Sequence, residues 1–494
     1  MITTILFGTT LVHAARPVDG AARSLRALAG RYRLGVVADA AVMTGTQVRD
    51  ALAATGLTDL VEVIARSADV GAAKPDPHGI RHALAQLGAE PGEALFVGDT
   101  TADDEAAQAA GVRFAYTQPD RDPGIAVRAA LTLDVGAYAA AAALLAPIDP
   151  AAAAGARAHL ERLTKPSGSL GRLEILGIQL AAISGVEPPP LPSPAAVAIF
   201  AADHGVVAEG VTPWPREVTA AMVANFVAGG AAINVLARQV GATVTVIDVG
   251  IATDLDAMGV IGAPALLRRA VRAGTANIAA GPAMSLAEAR IARDIGAEIA
   301  TTLVSAGARA LVTGDMGIGN TTAAAAVIAA LTGQAADTVT GRGTGIDDEG
   351  LRRKTDVVGA ALRRLPSDAD PLTVLSHVGG LEIAALAGFI VGAASHRVPV
   401  IVDGVVSGAA LLAAHADRPD VLPYVIAGHR STEPGATAVL DRLGLDPVLD
   451  LGMRLGEGTG GCLALNILDA AARILHDMAT FEAARITPVN DATS

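Results

Sequence analysis

Ala310-Leu311-Val312-Thr313-Gly314-Asp315-Met316-Gly317-Ile318-Gly319-Asn320-Thr321-Thr322 is the stretch from which the fold of this chain is read. A short apolar run, residues 310–313, has the look of a buried strand. It passes into a glycine-containing loop with one acid, and an alanine-rich helical run, residues 323–330, follows at once. Strand, loop and helix in succession form the repeating unit of a parallel α/β sheet. Glycine amides and threonine hydroxyls at a helix N-terminus also make an anion site, with a tight strand–helix turn as the structural alternative.

The same pattern recurs on both sides. Residues 195–200 form a strand candidate ending at Ala201-Ala202-Asp203-His204-Gly205-Val206. Residues 243–249 end at Asp248 and Gly250, residues 398–402 at Asp403-Gly404, and residues 424–427 at His429 and Ser431. In a doubly wound sheet the crevice beyond the strands' C-terminal ends holds the ligand, so these loops should converge. A further loop, Leu455-Gly456-Glu457-Gly458-Thr459-Gly460-Gly461, sets one carboxylate among glycines and between apolar runs. Glycines tolerate unusual backbone angles and close approach; an acid held there either loses water and becomes a stronger base or stays solvated on a glycine-rich turn. Gly341-Arg342-Gly343-Thr344-Gly345 is a second glycine-rich loop with a cation, and Lys354 lies beyond it. Two such loops and a lysine suggest a monophosphate or phosphoribosyl ligand. No Gly-x4-Gly-Lys-Ser/Thr pattern is present, so ATP is not expected. His377, His396, His415 and His429 are scattered, and no cluster has metal-ligand spacing, so no metal is expected in this half.

Composition sets wider limits. A chain of 494 residues has room for two or three domains. Hydrophobic residues make up 51% but aromatics only 2%, so the cores must rely on Ala, Leu, Val and Ile. A net charge of −13 argues against a nucleic-acid surface, which needs a basic face. The lone Cys462 leaves no internal disulfide and fits a reducing compartment. The N-terminus lacks the basic region and cleavage site of a signal peptide. The run 137–146 is too short for a membrane span. The expectation is a cytoplasmic protein.

In the N-terminal part, residues 3–7, 34–37 and 94–97 read as strands, with helical patterns at 21–29, 46–54 and 78–87. Phe96-Val97-Gly98-Asp99 opens a loop carrying Asp103 and Asp104. Acids at the C-terminal edge of a strand can hold Mg²⁺; a helix N-cap is the alternative. Gly71-Ala72-Ala73-Lys74-Pro75-Asp76-Pro77 and Val97-Gly98-Asp99-Thr100-Thr101-Ala102-Asp103 resemble the lysine and acidic metal motifs of the haloacid-dehalogenase-like hydrolases. The resemblance covers residues 1–118. In that family the first strand ends in two aspartates, one of them the nucleophile. Here the strand runs Ile5-Leu6-Phe7-Gly8-Thr9-Thr10-Leu11, and Ala38, followed by Asp39, replaces the family's Ser or Thr. A threonine hydroxyl without an activating base does not substitute for an attacking carboxylate. The domain reads as an inactive relative, with Asp99 and Asp103 as a vestigial Mg²⁺ site. Residues 119–147, with Pro119, Asp120, Asp122, Pro123, Gly124 and an alanine-rich run, read as a linker or docking helix.

From residue 148 to 494 the chain is similar to the nicotinate-nucleotide–dimethylbenzimidazole phosphoribosyltransferase family. The matching stretches are 165–174, 202–206, 217–219, 229–234, 281–284, 314–322, 378–382, Asp403-Gly404 and 454–460. The resemblance implies transfer of phosphoribose from nicotinate mononucleotide to dimethylbenzimidazole, with Glu457 as the base. It implies that Gly317, Asn320, Thr321 and Lys354 lie near the 5′-phosphate and ribose, and Ser431 near the ribose or the carboxylate. Trp214, Pro215 and Met222 would wall the benzimidazole slot. Asp203, His204, Gly319, Gly343, Asp403 and Leu455 complete the substrate-binding candidates. Asp315 stands where some members carry Glu, with a shorter arm. The resemblance implies no cofactor for the transfer, and a homodimer. The expected fold is α/β: a C-terminal doubly wound parallel sheet with a small helical layer, preceded by a smaller Rossmann-like domain of haloacid-dehalogenase type. Two further readings concern the N-terminal domain. It would dephosphorylate α-ribazole 5′-phosphate, or it would be a non-catalytic binding module.

Overall fold

The computed structural model describes residues 2–8, 32–39, 58–117, 136–256 and 263–487, with short pieces between 12 and 53 and between 123 and 130, and residue 260. Thr9, Thr10 and Leu11, and most of 40–57 and 118–135, lie outside the described residues. The chain divides into two compact units, Met1–Ala146 and Pro147–Ser494.

The first unit is built on β1 (Thr4–Phe7), β2 (Arg33–Ala38), β3 (Val63–Arg66), β4 (Ala94–Gly98) and β5 (Arg113–Tyr116). Their order is β3-β2-β1-β4-β5, with every pair parallel. Side chains alternate across the sheet, as strand geometry dictates. Ile5 and Phe7 face a core with Leu25, Leu28, Ala140 and Leu144, and Leu6 faces Ile80, Leu84 and Leu87. The alanine-rich run is a helix, Ala137–Leu144, and through Ala140 and Leu144 it shares the first unit's core.

The second unit contains β6 (Ala195–Ala202), β7 (Thr243–Gly250), β8 (Leu266–Arg268), β9 (Ala310–Met316), β10 (Val400–Val402) and β11 (Val425–Ala427). The order is β8-β7-β6-β9-β10-β11, all parallel. Chain order therefore reverses between β6 and β9, which is the switch point of a doubly wound sheet. All eight residues of β6 are buried, as helices on both faces of a parallel sheet require. On one face Val197 and Ile199 meet Leu176, Leu180, Phe226 and Leu468. On the other, Phe200 meets Phe389 edge-on at 5.4 Å, in a helix, Leu381–Ser395, that is buried along its whole length. Helices Pro150–Leu160, Arg172–Ser184 and Thr459–Asp477 form the smaller layer, sharing Ala156, Leu160, Ala181 and Leu475.

In the first sheet β3 and β5 were not expected, and in the second sheet two strands depart from the sequence expectation. β8 was not expected, because three residues give too little periodicity to register. β9 does not stop at Gly314 but runs on to Met316, with Gly314 paired to Ile199. The glycine has another purpose: a Cβ there would lie 2.9 Å from the Glu457 carbonyl oxygen. It marks the point where the Glu457 loop packs onto the strand.

Among the described residues the one apolar segment long enough to cross a membrane is Val218–Val240. Gly229, at φ +79°, ends its first helix, so the segment is two helices of 11 and 9 residues. Each is short of the roughly 20 residues a span needs.

Candidate active site

At the C-terminal edge of β9 and β10 a crevice of about 700 Å³ opens. Its walls come from the loops after β9, β10 and β11, the Gly343 loop, the Glu457 loop and the helix Val218–Ala228. That volume suits a nucleotide beside a flat heterocycle.

Glu457 lines the crevice from a strained position. Its φ is +63°, and Gly456 and Gly458 beside it are both at +84°. A non-glycine residue in the left-handed region is disfavoured and persists only where the surroundings enforce it. The side chain is 6% exposed, and its Oε2 has no hydrogen-bond partner. Burial raises its proton affinity above the usual glutamate value; a hydrogen bond with the Ile233 backbone opposes this and the Asp403 charge adds to it. A buried carboxylate in the crevice lining with one unpartnered oxygen is equipped to accept a proton.

Asp315 also lines the crevice and accepts a 2.9 Å hydrogen bond from Asn320 Nδ2. Burial, then the charges of Asp403 and Glu382, push its carboxyl up to about 8, against the Asn320 bond. It therefore holds its proton near neutral pH.

Trp214, Met222, Asp315, Gly317, Asn320, Thr321, Gly343, Ser431, Leu455 and Glu457 all line this space. Six other candidates do not. Pro215 is not part of the wall, although Trp214 and Val218 on either side are. Gly319 caps the helix Asn320–Thr332 at φ +93° and leaves the lining to its neighbours. Asp203 and His204 are each 1% exposed. Asp203 Oδ2 accepts from the Ala252 amide at 2.8 Å, and His204 Nε2 pairs with Glu382 Oε1 at 2.8 Å. Burial opposes charge on His204, but Glu382 outweighs it and the imidazole is raised. These groups brace the sheet edge from behind. Lys354 is also buried, under the floor: its Nζ donates to Thr321 Oγ1 at 2.8 Å and to the Gly341 carbonyl at 2.9 Å. Burial lowers it to about 8, partly offset by Glu433. Asp403 sits behind the Glu457 turn, and only its neighbour Gly404 reaches the crevice.

Sequence reasoning missed Glu433 and gave no role to Arg454. Glu433 Oε1 accepts from the Gly343 amide at 2.9 Å, and Arg454 Nη1 donates to the Gly343 carbonyl at 2.7 Å, so together they fix that loop. An acid immediately before Pro434, the first residue of a helix, was the available signal for Glu433.

In the first unit, Asp103 pairs with Lys74 through Oδ1. Its Oδ2 accepts from Asp99 N at 3.2 Å, Thr100 N at 3.1 Å and Thr100 Oγ1 at 2.7 Å. This is the capping box of the helix Thr101–Ala110. Burial opposes ionisation, yet Lys74 and Thr100 hold the Asp103 carboxyl below its usual value. Lys74 also lies 3.7 Å from Asp39. The Mg²⁺ that a haloacid-dehalogenase fold implies does not fit these residues. β1 ends at Phe7-Gly8 without a carboxylate, both Asp103 oxygens are engaged, and no group of three potential ligands exists among the described residues.

Residues 145–486 match the family pattern described as phosphoribosyltransferase. The chain is 55% identical over 354 residues to the nicotinate-nucleotide–dimethylbenzimidazole phosphoribosyltransferase of Salinispora tropica, covering 70% of this chain and 97% of that one. The chain belongs to this phosphoribosyltransferase family. The enzyme of the same name from Chloroflexus aurantiacus is 53% identical over 344 residues, covering 69% of this chain and 96% of the relative. The crystal structure of CobT from Thermus thermophilus matches with a TM-score of 0.66 at 48% identity, over 69% of this chain and 100% of that one. Residues 7–117 match the family described as haloacid dehalogenase-like hydrolase, so the transferase carries an additional N-terminal domain.

Proposed function

We propose that this transferase moves the phosphoribosyl group of nicotinate mononucleotide to 5,6-dimethylbenzimidazole, giving α-ribazole 5′-phosphate and nicotinate, with Glu457 as the base. The observation that carries the base assignment is the free, buried Oε2 of Glu457 at the crevice wall. Nicotinate leaves as a neutral pyridine, taking the electrons of its bond to C1′, so no general acid is required. One benzimidazole nitrogen forms the new bond to C1′, and the proton on the other ring nitrogen passes to Glu457. Holding the two rings on opposite faces of the ribose favours in-line attack with inversion. Trp214 and Met222 form an apolar wall suited to the benzimidazole, and the Gly317–Thr321 turn at a helix N-terminus suits the phosphate. Lys354 acts on that phosphate through Thr321 and Gly341, which it positions. The reaction as written calls for no metal or organic cofactor, so chelator-treated enzyme should keep its rate.

Glu457→Gln tests the assignment. It keeps the size of the side chain but cannot take the proton, so kcat should fall about 10²–10⁴-fold with little change in the binding of either substrate. The residual rate should rise with pH as hydroxide or deprotonated benzimidazole takes over. A wild-type kcat would shift the role to Asp315.

We further propose that the N-terminal domain is non-catalytic. Gly8 at the end of β1 and the engagement of Asp103 by Lys74 support this reading. A homodimer follows from the family resemblance and is tested by the mass in solution. The unpaired, buried Cys462 is consistent with a cytoplasmic location.

A further inference from the structure

Asp403 lies at the end of β10 with its carboxylate fully enclosed. It faces the backbone of the Glu457 loop rather than the crevice. Oδ2 accepts from the Gly458 amide at 3.2 Å, and Oδ1 accepts from the Gly461 amide at 2.9 Å. These amides belong to the residue just after Glu457 and to the first turn of the helix Thr459–Asp477. That helix has Gly458 at its N-cap and no side-chain cap of its own, so its N-terminal donors depend on a carboxylate from another strand. Asp403 is itself held: its amide donates to Thr313 Oγ1 at 3.1 Å, and Thr313 Oγ1 donates to the Ile401 carbonyl at 3.3 Å. His429 closes the far side, with Nε2 3.4 Å from Asp403 Oδ1, and both residues border a cavity of about 20 Å³. Gly460 is where His429 packs beneath the helix; any side chain there would overlap the imidazole.

We propose that Asp403 is a positioning residue for the transfer: it holds the left-handed turn that keeps Glu457 in the crevice lining, without touching substrate. The proposal rests on the reading of Glu457 as the base. A left-handed glutamate between two glycines has no local preference for its conformation, and two amide hydrogen bonds accepted by one buried carboxylate supply what the sequence lacks. The carboxylate also has an electrostatic effect. It is close enough to favour the protonated form of Glu457, and it acts in the same direction on Asp315 and on the Cys462 thiol. The other ionisable groups facing this turn are Asp315, whose carboxyl lies beside Gly456 and keeps its proton near neutral pH, Arg454 and Glu433 at the crevice, and His429 behind Asp403. Arg454 is tied to the Gly343 carbonyl and Glu433 to the Gly343 amide, which leaves Asp403 as the charge on the Glu457 side.

Two variants of the full chain separate geometry from charge. Asp403→Asn keeps the shape but loses the charge and one acceptor. Its kcat should fall by about 10-fold or more, as small misplacements of a reacting group do, with both KM values little changed. The acid limb of its kcat–pH profile should move to lower pH, toward an ordinary glutamate. Asp403→Glu keeps the charge but displaces it, so kcat should fall while the acid limb stays in place. A merely structural role would reduce the folded fraction and leave the limb of both variants unmoved, and that result overturns the proposal. If Asp403→Asn does not fold, Thr313→Val loosens Asp403 indirectly. Its kcat should drop and be restored in Thr313→Ser, and a wild-type kcat in folded Thr313→Val overturns the proposal. Glu457→Gln serves as the control. A wild-type rate there removes the base assignment itself, whereas an inactive Glu457→Gln beside a wild-type-like Asp403→Asn removes only the positioning role.

Discussion

Asp315 and Lys354 show how burial changes what a charged residue can do. Folded Asp315 keeps its proton up to about pH 8. The unfolded chain releases it near pH 4, so between those values the folded state binds more protons. The stability this group contributes is full below about pH 4 and is lost as pH rises through about 8. Asp315→Asn should therefore gain on the wild type steadily between pH 5 and 8 in thermal melts, and a flat difference would mean that Asp315 is ionised across that range. For Lys354→Ala the expected outcome is a raised KM for nicotinate mononucleotide with a much smaller change for the benzimidazole. The lysine fixes Thr321 and Gly341. Equal effects on both substrates in steady-state kinetics would contradict this. At this scale the place of Glu457 in the crevice lining was legible from the family resemblance, because the glycines around it alone fit a solvated turn equally well. Placement was not legible for Asp203, His204 and Asp403, whose loops reach the sheet edge but whose side chains turn inward to Ala252, Glu382 and Gly458, nor for Lys354, which reaches Thr321 from within the helix Asp348–Leu362. No local pattern encodes that choice, because the partners lie far away in the chain.

Elements were more legible than residues. Apolar runs followed by glycine loops marked most strands of the second sheet, because a strand buried on both faces has few polar positions to obscure it. Gly314 misled for a physical reason: it interrupts the apolar run yet stays in the strand, as a seat for the Glu457 loop. Glycines inside helices carry a similar message. A methyl group at Gly296 would overlap the backbone of Ala385, and one at Gly388 the backbone of Arg293, so the helices Leu286–Ser305 and Leu381–Ser395 touch through bare backbone. At Gly392 the added Cβ would stand 2.8 Å from that of Ala300. Gly296→Ala should destabilise the fold by about 1–3 kcal/mol or more, because overpacking forces the helices apart. Denaturant unfolding would read this, and an unchanged midpoint would show that the helix pair has slack.

At the scale of the whole molecule, the relatives from Salinispora and Chloroflexus are covered almost entirely by this chain's second unit and its immediate surroundings, and the Thermus structure is covered completely. The transferase fold therefore exists in nature without a haloacid-dehalogenase-like partner. A chain beginning at Pro147 should keep the kcat of the full protein, and loss of rate in a folded truncation would reveal a role for the first unit. Both units were legible in outline, since each repeats strand and helix in order and the two carry motifs of different families. The central claim is phosphoribosyl transfer without onward dephosphorylation. Its most direct test is to incubate the full protein with nicotinate mononucleotide, 5,6-dimethylbenzimidazole and Mg²⁺, and to follow the products by chromatography and mass spectrometry. Nicotinate and α-ribazole 5′-phosphate should accumulate in equal amounts with no inorganic phosphate. Failure to release nicotinate would contradict the transfer, and the appearance of α-ribazole with free phosphate would contradict the reading of the first unit as inactive.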